Sequence, residues 1–425
     1  MYALYSLLLS LALFVIVPAY FVKLRIMRGE KLHLRERFGL KVPARRTDRP
    51  LLWIHAVSVG EVISLQNLVS RIKAEHPEWE LGFSTLTDGG FRVGRAKLST
   101  VDHLFFVPFD FRRIARRFFR SLRPDLLILA ESEFWPGLLR EARRSRCPVL
   151  LVNGRISARS FRRLKRWKGV ARKLLGNVDR FLVQTTADEG RLIEIGVTPG
   201  LISVSGNLKC DTRLPEVDES EIGRVKKALS VGKGRKVLVA GSIHPGEETR
   251  LIQAFREARG RGSDILLILA PRHPEKFADF EKNAGNDGFV ARRKTLLRPG
   301  QAWDILLVDT IGDLARLYAL ADAAFIGGSL IPWGGQNLLE PAFYGKPIFF
   351  GPHMENFASL ADEFVRGGAA KIVKSPEDLV GMFLFNEPAG LEEMGKRAKA
   401  LLNSLQGATQ KTLASIEDLI ARRHE

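Results

Sequence analysis

The stretch GGSLIPWGGQNLLEP, residues 327–341, follows the apolar run AAFI and holds two glycine pairs ahead of a glutamate, Glu340. Glycine destabilises the interior of a strand or a helix, so this stretch predicts a loop that follows a buried strand. Such a loop is either an ordinary turn or a place where backbone N–H groups approach an anionic ligand such as a phosphate. The surrounding sequence decides between these two interpretations.

The rest of the chain repeats this arrangement, with short apolar runs that end in polar residues and are mostly followed by helical stretches. Such runs are typical of a parallel, doubly wound sheet. One set precedes and another follows a polar stretch at 211–222, DTRLPEVDESEI, which we interpret as a linker. A chain of 425 residues is also too long for one ordinary core. We therefore expect an α/β protein with two Rossmann-like halves and a cleft between them.

Composition indicates an anionic partner. The formal net charge is +19, which fits nucleic acid, an anionic membrane surface or a phosphorylated substrate. Two basic stretches, 111–124 and 158–176, mix arginine and lysine with large apolar residues. Each is either a solvated helix face or a surface that rests on anionic lipid. Cys147 and Cys210 have no CxxC spacing, so the sequence predicts neither a disulfide framework nor a zinc site.

The N-terminus favours the membrane among these partners. Residues 2–22 carry no charge and are long enough to span a bilayer, and a stretch dense in lysine and arginine follows them. A signal peptide would have its basic end first and a cleavage site last. We expect a membrane anchor at 1–24, either spanning or lying in the interface, with the rest of the protein on the cytoplasmic side. The anchor argues against nucleic acid as the partner.

Charged side chains follow three of the first-half runs. HAVSVGEV places Glu61 at a strand-to-helix turn, where it is either an ordinary first-turn residue or a general base. LAESEFWPGLL places Glu131 and Glu133 after another run, either solvated or supporting the base. SGNLKCD places Lys209 beside the linker, where it is either exposed or balances a carboxylate or a phosphate.

Four second-half runs also end in polar motifs, GSIHPGEE, PRHPEKF, DTIGDL and GGSLIPWGGQNLLEP. Backbone N–H groups there, together with the guanidinium of Arg272, are suited to a phosphate, and Glu340 is suited to two ribose hydroxyls. No G-x-G-x-x-G fingerprint and no P-loop motif occurs, which disfavours NAD and P-loop ATP hydrolysis. The histidines have no metal-ligand spacing and there is no DxD motif, so we expect no metal.

Taken together, these motifs resemble the 3-deoxy-D-manno-octulosonic acid (Kdo) transferases of lipopolysaccharide assembly. The resemblance rests on HAVSVGE, ESEFWP, RISARS, SGNLKCD, the four second-half motifs and GPHMENF, in that order over nearly the whole chain. It implies the GT-B fold, with an anchor at 1–24, an acceptor-binding domain at 25–212, a CMP-sugar-binding domain at 213–395 and a helical segment at 396–425. That last segment is expected to pack back on the first domain.

The resemblance also implies an inverting transfer of Kdo from CMP-Kdo to a lipid A precursor, lipid IVA, at the inner membrane, with no cofactor and no metal. The general base would be Glu61, and the transition-state stabilisers would be Glu131 and Lys209. The positions that contact CMP would be Pro271, Arg272, Ile311, Gly312, Asp313, Asn337, Leu338, Leu339 and Glu340.

Two departures from the family pattern stand out. Gln336 replaces an expected histidine, which removes any imidazole role at that position, and Asp313 stands where glutamate is also common. Two other functions remain open on the sequence. One is a membrane-associated GT-B transferase that uses a UDP-sugar, and the other is a non-catalytic, membrane-anchored binding protein with this fold.

Overall fold

The computed structural model describes residues 33–211, 214–272, 277–286 and 288–424, which form two compact units. Unit 1 extends to Thr212 and takes in Leu405–Glu425, and unit 2 is Arg213–Ser404. The predicted anchor at 1–24 lies outside the described residues. Within the described ranges, no helix combines the length and the apolar character needed to cross a bilayer.

The described part of unit 1 contains one seven-stranded parallel sheet in the order β3-β2-β1-β4-β5-β6-β7, with helices and short 3-10 turns between the strands. The strands are β1 (Leu51–Ala56), β2 (Glu80–Thr85), β3 (His103–Phe106), β4 (Leu126–Ala130), β5 (Val149–Gly154), β6 (Arg180–Val183) and β7 (Ile202–Val204). The helices are α1 (Leu34–Arg37), α2 (Val59–Glu75), α3 (Asp88–Lys97), α4 (Arg112–Leu122), α5 (Pro136–Arg144), α6 (Ala158–Arg166), α7 (Lys168–Leu175) and α8 (Thr186–Ile195).

The described part of unit 2 likewise contains one seven-stranded parallel sheet, in the order β10-β11-β9-β8-β12-β13-β14. The strands are β8 (Val237–Ile243), β9 (Leu266–Pro271), β10 (Ala291–Arg293), β11 (Ile305–Leu307), β12 (Ala323–Ile326), β13 (Ile348–Phe350) and β14 (Ala370–Ile372). The helices are α9 (Glu219–Ala228), α10 (Glu247–Gly260), α11 (Phe277–Asn286), α12 (Leu314–Leu320), α13 (Leu339–Phe343), α14 (Ala358–Arg366), α15 (Pro376–Leu384) and α16 (Pro388–Ser404), while α17 (Ala408–His424) returns to unit 1.

Both faces of the unit 1 sheet are covered, which explains why its strands read as continuous apolar runs. Along β1, Leu51 and Trp53 join the core on one face, and Leu52 and Ile54 join the core on the other. Successive strand side chains point to opposite faces, so a strand buried on both sides needs apolar residues at nearly every position. The polar residues are therefore left to the strand ends.

The structure corrects four details of the predicted organisation. Two short strands, β10 and β14, were missed, because three residues with partly exposed side chains carry no apolar run. The predicted linker at 211–222 already contains the start of α9, which Asp218 caps through its side chain. The terminal stretch, predicted as helical to its end, is two helices separated around Gly407, whose φ of +105° favours glycine. The chain joins unit 1 again at Leu405, later than the predicted boundary after residue 395.

The carboxylate of Asp211 fixes the return of the chain to unit 1. It accepts hydrogen bonds from the N–H groups of Gly407, at 2.7 Å, and Thr409. Asn67 donates to the backbone oxygen of Asp211, at 3.0 Å, and to the hydroxyl of Thr409, at 3.2 Å. The buried face of α17 then packs into the core that α2 and the sheet share. Asp211 thus caps α17 and holds it against the turn that carries Lys209.

We expect Asp211→Ala to loosen α17, because two N–H groups lose their acceptor and Thr409 is buried. The cost should be about 1–3 kcal/mol. Hydrogen exchange of α17 in the full chain should accelerate accordingly. The control is Asp418→Ala, at another position on α17. This variant breaks a partly exposed ion pair with Arg180 of β6 and should change the exchange little. Equal protection in both variants would contradict the capping role.

Candidate active site

The topology of unit 1 places two of the predicted catalytic residues at its switch point. From β1 the chain moves outward to β2 and β3 and then crosses to β4 on the other side of β1. Ligands of open α/β sheets bind beyond the carboxyl ends of the strands at such a point. Glu61 follows β1 and Glu131 follows β4, and these strands are direct neighbours.

The first turn of α2 holds the carboxylate of Glu61. Val57 N–H donates to Oε2 and the Ser58 hydroxyl donates to Oε1, both at 2.8 Å. Ser58 in turn caps the helix by accepting from the backbone N–H of Glu61. The residue is 8% exposed. Glu61 therefore lies in the first turn of α2 and also presents a fixed carboxylate at the switch point, and its role as a general base stays a prediction.

Glu131 lies immediately after β4 in a left-handed backbone conformation, with φ +51°. Its N–H donates to the Val152 oxygen on β5, at 3.0 Å. Burial raises the pKa of the Glu131 carboxyl, the positive charges of Lys209 and Arg155 lower it, and the negative charge of Glu61 raises it. The structure thus brings Glu61 and Lys209 within electrostatic reach of Glu131.

Lys209 lies on the 3-10 turn Leu208–Asp211, which two asparagine side chains support. Its backbone N–H donates to Asn207 Oδ1, at 3.0 Å, and the N–H of Leu208 donates to Asn153 Oδ1, at 3.1 Å. Asn153 is itself left-handed at the end of β5. The position of the lysine therefore depends on a neighbouring strand end, although the two are more than fifty residues apart in the sequence.

Glu133 belongs to the same cluster, although the sequence left its role open. Trp135 Nε1 donates to its Oε2, at 2.9 Å. Burial raises the pKa of Glu133 to about 7, the Trp135 hydrogen bond opposes this, and the charges of Glu61 and Glu131 add to it. Near neutral pH, the third carboxyl of the cluster is therefore partly protonated. In the sequence, the only indication that Glu133 belongs to this cluster was its position two residues after Glu131.

The histidines of the described ranges form no such cluster. His55 on β1 is fully buried, and its Nδ1 lies 3.0 Å from the Ser84 hydroxyl. Burial lowers its pKa to about 4, so the ring is neutral near neutral pH. Among the residues that the structure describes, no group of three or more His, Cys, Asp or Glu is placed to hold a metal ion.

In unit 2 the corresponding switch point lies between β8 and β12, where GSIHPGEE and the glycine-rich loop meet. Glu247, which is fully buried, links them. Its Oε2 accepts from the N–H groups of His244, at 3.0 Å, and Gly328, at 2.6 Å. Its Oε1 accepts from those of Ser329 and Leu330, both at 2.9 Å. Burial raises the pKa of this carboxyl, and the four backbone donors oppose the rise.

This arrangement corrects the expected role of the first glycine pair. The N–H groups of residues 328–330 are engaged by Glu247, so they are not available to a donor phosphate. The glycines instead permit close packing, because a Cβ on Gly327 would lie 2.4 Å from the Ser242 oxygen. Gly335 has φ +72° and donates its N–H to the oxygen of Gly328. The sequence predicted the loop correctly but assigned its donors to the wrong acceptor.

The glutamate that ends this loop lies in the first turn of α13. Asn337 Nδ2 donates to Glu340 Oε1, at 3.2 Å, and Asn337 Oδ1 accepts from the N–H of Leu339. The side chains of Leu338 and Leu339 are buried. Any contact of these two leucines with a nucleotide would therefore use the backbone, whereas Glu340 and Asn337 present polar side-chain atoms.

The motif after β11 forms an exposed turn. Ile311 is 95% exposed, and Gly312 has φ +95°. Asp313 accepts from Lys294, at 2.9 Å, and from the Thr310 hydroxyl. Those two contacts, with the hydroxyl contributing more than the lysine, lower the pKa of Asp313. Lys294 had no motif of its own in the sequence and is identified only by this contact.

The motif after β9 is described only at its start. Pro271 ends the strand and the N–H of Arg272 donates to the Ile243 oxygen, at 2.9 Å, while the Arg272 side chain is exposed. Residues 273–276 lie outside the described ranges. Since β8, β9, β11 and β12 are parallel and adjacent, every predicted CMP-contacting motif follows a strand end on one edge of the unit 2 sheet.

Gln336, the departure noted in the sequence, contacts a histidine from another motif. Its Nε2 lies 3.2 Å from Nε2 of His244, and the His244 ring stacks on Trp333 with 4.7 Å between centroids. An amide that donates to Nε2 favours the neutral tautomer of His244 with its proton on Nδ1. The loop and the β8 motif thus share a polar contact in addition to Glu247.

Comparison with known proteins agrees with this arrangement of motifs. A family model described as 3-deoxy-D-manno-octulosonic-acid transferase (kdotransferase) matches residues 32–212. The 3-deoxy-D-manno-octulosonic acid transferase of Bordetella pertussis is 35% identical over 402 residues, covering 90% of each chain. The chain belongs to the Kdo transferase family. A further member, from Rickettsia bellii, is 31% identical over 374 residues, covering 87% of this chain and 88% of the relative. The resemblance to this family of glycosyltransferases is thereby confirmed.

Solved structures of more distant proteins show the same fold. HepE of Anabaena in complex with UDP is 14% identical, with a TM-score of 0.59 over 87% of this chain and 100% of that one. The UDP-GlcNAc 2-epimerase of Neisseria meningitidis, bound to UDP-GlcNAc, is 10% identical with a TM-score of 0.57 over the same shares. These neighbours confirm the expected pair of Rossmann-like α/β units with a GT-B-like fold.

We expect Glu133→Gln to change the pH dependence of stability. The pKa of Glu133 is raised in the folded protein, so its contribution is complete below the unfolded pKa near 4.5 and is lost as pH rises through about 7. The variant should therefore match the wild type at pH 4.5 and be more stable at pH 8, by about 3 kcal/mol. Urea unfolding at both pH values measures this difference. A difference that is constant with pH would contradict the assignment.

We expect Glu247→Gln to loosen the glycine-rich loop. An amide offers one acceptor atom and turns donor hydrogens toward two backbone N–H groups, at a cost of about 1–3 kcal/mol. Hydrogen exchange at residues 327–335 should accelerate. Glu257→Gln on the exposed face of the same helix is the matched control and should leave this exchange unchanged.

Proposed function

We propose that this protein moves Kdo from CMP-Kdo to a lipid A precursor, lipid IVA, by an inverting reaction that needs no metal ion. The observation that carries the proposal is the grouping of Glu61 and Glu131 at the switch point of unit 1, with the charge of Lys209 acting on Glu131, in a chain of this family. A base, a second carboxylate and a cation at one strand edge suit a displacement reaction at a sugar carbon.

In the proposed reaction, Glu61 takes the proton of the acceptor hydroxyl. The hydroxyl oxygen then forms a bond to the anomeric carbon of Kdo, the bond from that carbon to the phosphate oxygen breaks, and CMP leaves with the electron pair. A single displacement inverts the anomeric centre. The Ser58 and Val57 hydrogen bonds hold the Glu61 carboxylate in one orientation, which reduces the reorganisation needed at the moment of transfer.

Glu131 and Lys209 act on charge in this scheme. The anomeric carbon gains positive character as the bond to the phosphate lengthens, and the carboxylate of Glu131 stabilises it. The charge of Lys209 lowers the pKa of the Glu131 carboxyl and so opposes the effect of burial, which raises it. It also offsets the negative charge of the leaving CMP.

Unit 2 would bind the CMP part of the donor along its strand edge. Arg272 is exposed and supplies a cationic fork for the single phosphate, and Glu340 would accept from the ribose hydroxyls. The Ile311–Gly312–Asp313 turn presents an apolar side chain and backbone groups suited to the cytosine ring of CMP. Because Glu247 occupies the donors of residues 328–330, the phosphate would depend more on side-chain cations than the glycine content indicated.

We also place the protein at the inner membrane, on its cytoplasmic side. The uncharged stretch at 2–22 supports this, and so do the two basic stretches, which the structure forms into α4 and the α6–α7 pair. Trp167, at the junction of α6 and α7, is 63% exposed among arginines and lysines. An aromatic ring flanked by cations suits the interface of an anionic bilayer, where the lipid acceptor is found.

The proposal is tested by transfer to lipid IVA in detergent, with CMP-Kdo formed enzymatically beforehand and EDTA present during transfer. We expect the wild type to add Kdo masses to the lipid and Glu61→Gln to lose at least 100-fold in rate, because the base is absent. Mass spectrometry of the lipid and chromatography of the released nucleotide measure both products.

Glu75→Gln, at the exposed far end of the same helix, is the matched control and should transfer normally. Normal transfer by Glu61→Gln would remove Glu61 as the base. Release of UDP from a UDP-sugar, with CMP-Kdo left intact, would instead favour another GT-B transferase. No nucleotide release from either donor would favour a binding protein.

A further inference from the structure

The residue after β5, Arg155, has a backbone that is fixed on both sides. Its N–H donates to the Glu131 oxygen, at 3.4 Å, and the preceding residue, Gly154, accepts from Gln184 N–H, at 2.9 Å. On the other side, Ile156 is fully buried and donates its N–H to Asp188, at 2.8 Å. The Cα of Arg155 is therefore held at the strand edge that carries Glu131, independently of its own side chain.

The side chain of Arg155 is partly buried, yet its guanidinium donates no hydrogen bond to any residue in the described ranges. Other partly buried arginines of unit 1 are engaged. Arg191 donates to the Ile156 oxygen at 2.5 Å, Arg180 donates to Asp418 at 2.7 Å, and Arg45 lies 3.0 Å from Asp125. The guanidinium donors of Arg155 are therefore not taken up by described protein groups, and they can bind a ligand oxyanion without first breaking a hydrogen bond to the protein.

Arg155 also lies in the proposed catalytic cluster. Its charge acts on Glu131 together with that of Lys209, so two cations and the Glu131 carboxylate share one region of the strand edge. When Glu61 takes up the acceptor proton, the cluster loses one negative charge. A bound anion beside Arg155 is then more strongly stabilised than before proton transfer.

We propose that Arg155 binds an oxyanion of a substrate beside Glu131 and Lys209 and so helps to select an acidic substrate, an inference that rests on the proposed function. The planar fork of a guanidinium matches a carboxylate or a phosphate through two parallel hydrogen bonds. Kdo carries a carboxylate, CMP carries a phosphate, and the lipid acceptor is phosphorylated. The shared chemistry is therefore an oxyanion, from either the donor or the acceptor.

Transfer kinetics of Arg155→Ala and Arg155→Lys test this inference in the full-length protein. We expect Arg155→Ala to lose about 10- to 100-fold in kcat/KM, the range of one charge-assisted contact. Arg155→Lys should recover only part of this, because an ammonium lacks the fork. Guanidinium chloride at millimolar concentration should restore part of the activity of Arg155→Ala and none of that of Glu61→Gln. A purely structural role would not give this rescue.

Arg92→Ala, an exposed arginine on α3, is the control and should keep wild-type kinetics. The source of the anion is read from the substrate whose KM rises. A rise for CMP-Kdo alone assigns the oxyanion to the donor. A rise for the lipid alone, which disappears with a dephosphorylated lipid, assigns it to an acceptor phosphate.

A binding measurement that does not need transfer separates this inference from the proposed function. Free Kdo and inorganic phosphate are added to the wild type and to Arg155→Ala, and thermal unfolding is followed. We expect at least one probe to raise the Tm of the wild type more than that of the variant. If the wild type transfers Kdo while Arg155→Ala matches Arg92→Ala in kinetics and in both thermal shifts, the inference is overturned and the proposed function stands. If the wild type transfers nothing but the thermal shifts differ, the proposed function fails and anion binding at Arg155 stands.

Discussion

The parallel arrangement of the strands is the constraint on which the rest of this molecule depends. In both sheets, every described strand pair is parallel, so all strands of a sheet end at the same edge. Helices and loops cover both faces, and apolar side chains therefore occupy nearly all strand positions. The polar side chains that are candidates for binding or catalysis therefore follow the strands. At the two switch points, such side chains come together from segments that are far apart in the sequence.

At these strand edges, buried carboxylates organise the backbone before they take part in any chemistry. Glu61, Glu247 and Asp211 each accept backbone N–H groups, and each joins parts of the chain or a turn to a helix. A carboxylate suits this work because its two oxygens accept several donors at once. On the fixed strand edge that results, Glu131 lies within reach of the charges of Lys209 and Arg155.

Much of the fold was readable from the sequence, because long apolar runs ending in polar motifs define strands and their order. The two-unit organisation and the residues after β1, β4, β8, β9, β11 and β12 follow from that pattern. The short strands β10 and β14 do not, since each has only three residues with an exposed charged residue in the middle, which leaves no apolar run. The sequence also singled out Glu61, Glu131 and Lys209, which the structure brings near one strand edge, but it could not reveal the partner of a backbone donor. HAVSVGEV and GSIHPGEE look alike as strand-to-helix turns. Only the fold shows that Glu247 accepts hydrogen bonds from the backbone N–H groups of a loop that is distant in the sequence. Lys294 and Arg155 are identified as candidates only through contact with Asp313 and proximity to Glu131, and the sequence does not reveal either relation.

The hydrogen bonds of the Asp211 carboxylate join the two places at which the chain leaves and re-enters unit 1. The chain leaves unit 1 just after this residue and re-enters it at Leu405, and a hydrogen bond of 2.7 Å joins Asp211 to Gly407. The sequence of unit 2 is thus an insertion into that of unit 1. The two points at which unit 1 is interrupted are held together by this hydrogen bond. Joining these ends with a short loop would give a continuous α/β domain that ends in its own last helix. Because this contact does not involve unit 2, we expect residues 213–404 to be replaceable as one segment while the two parts of unit 1 stay joined.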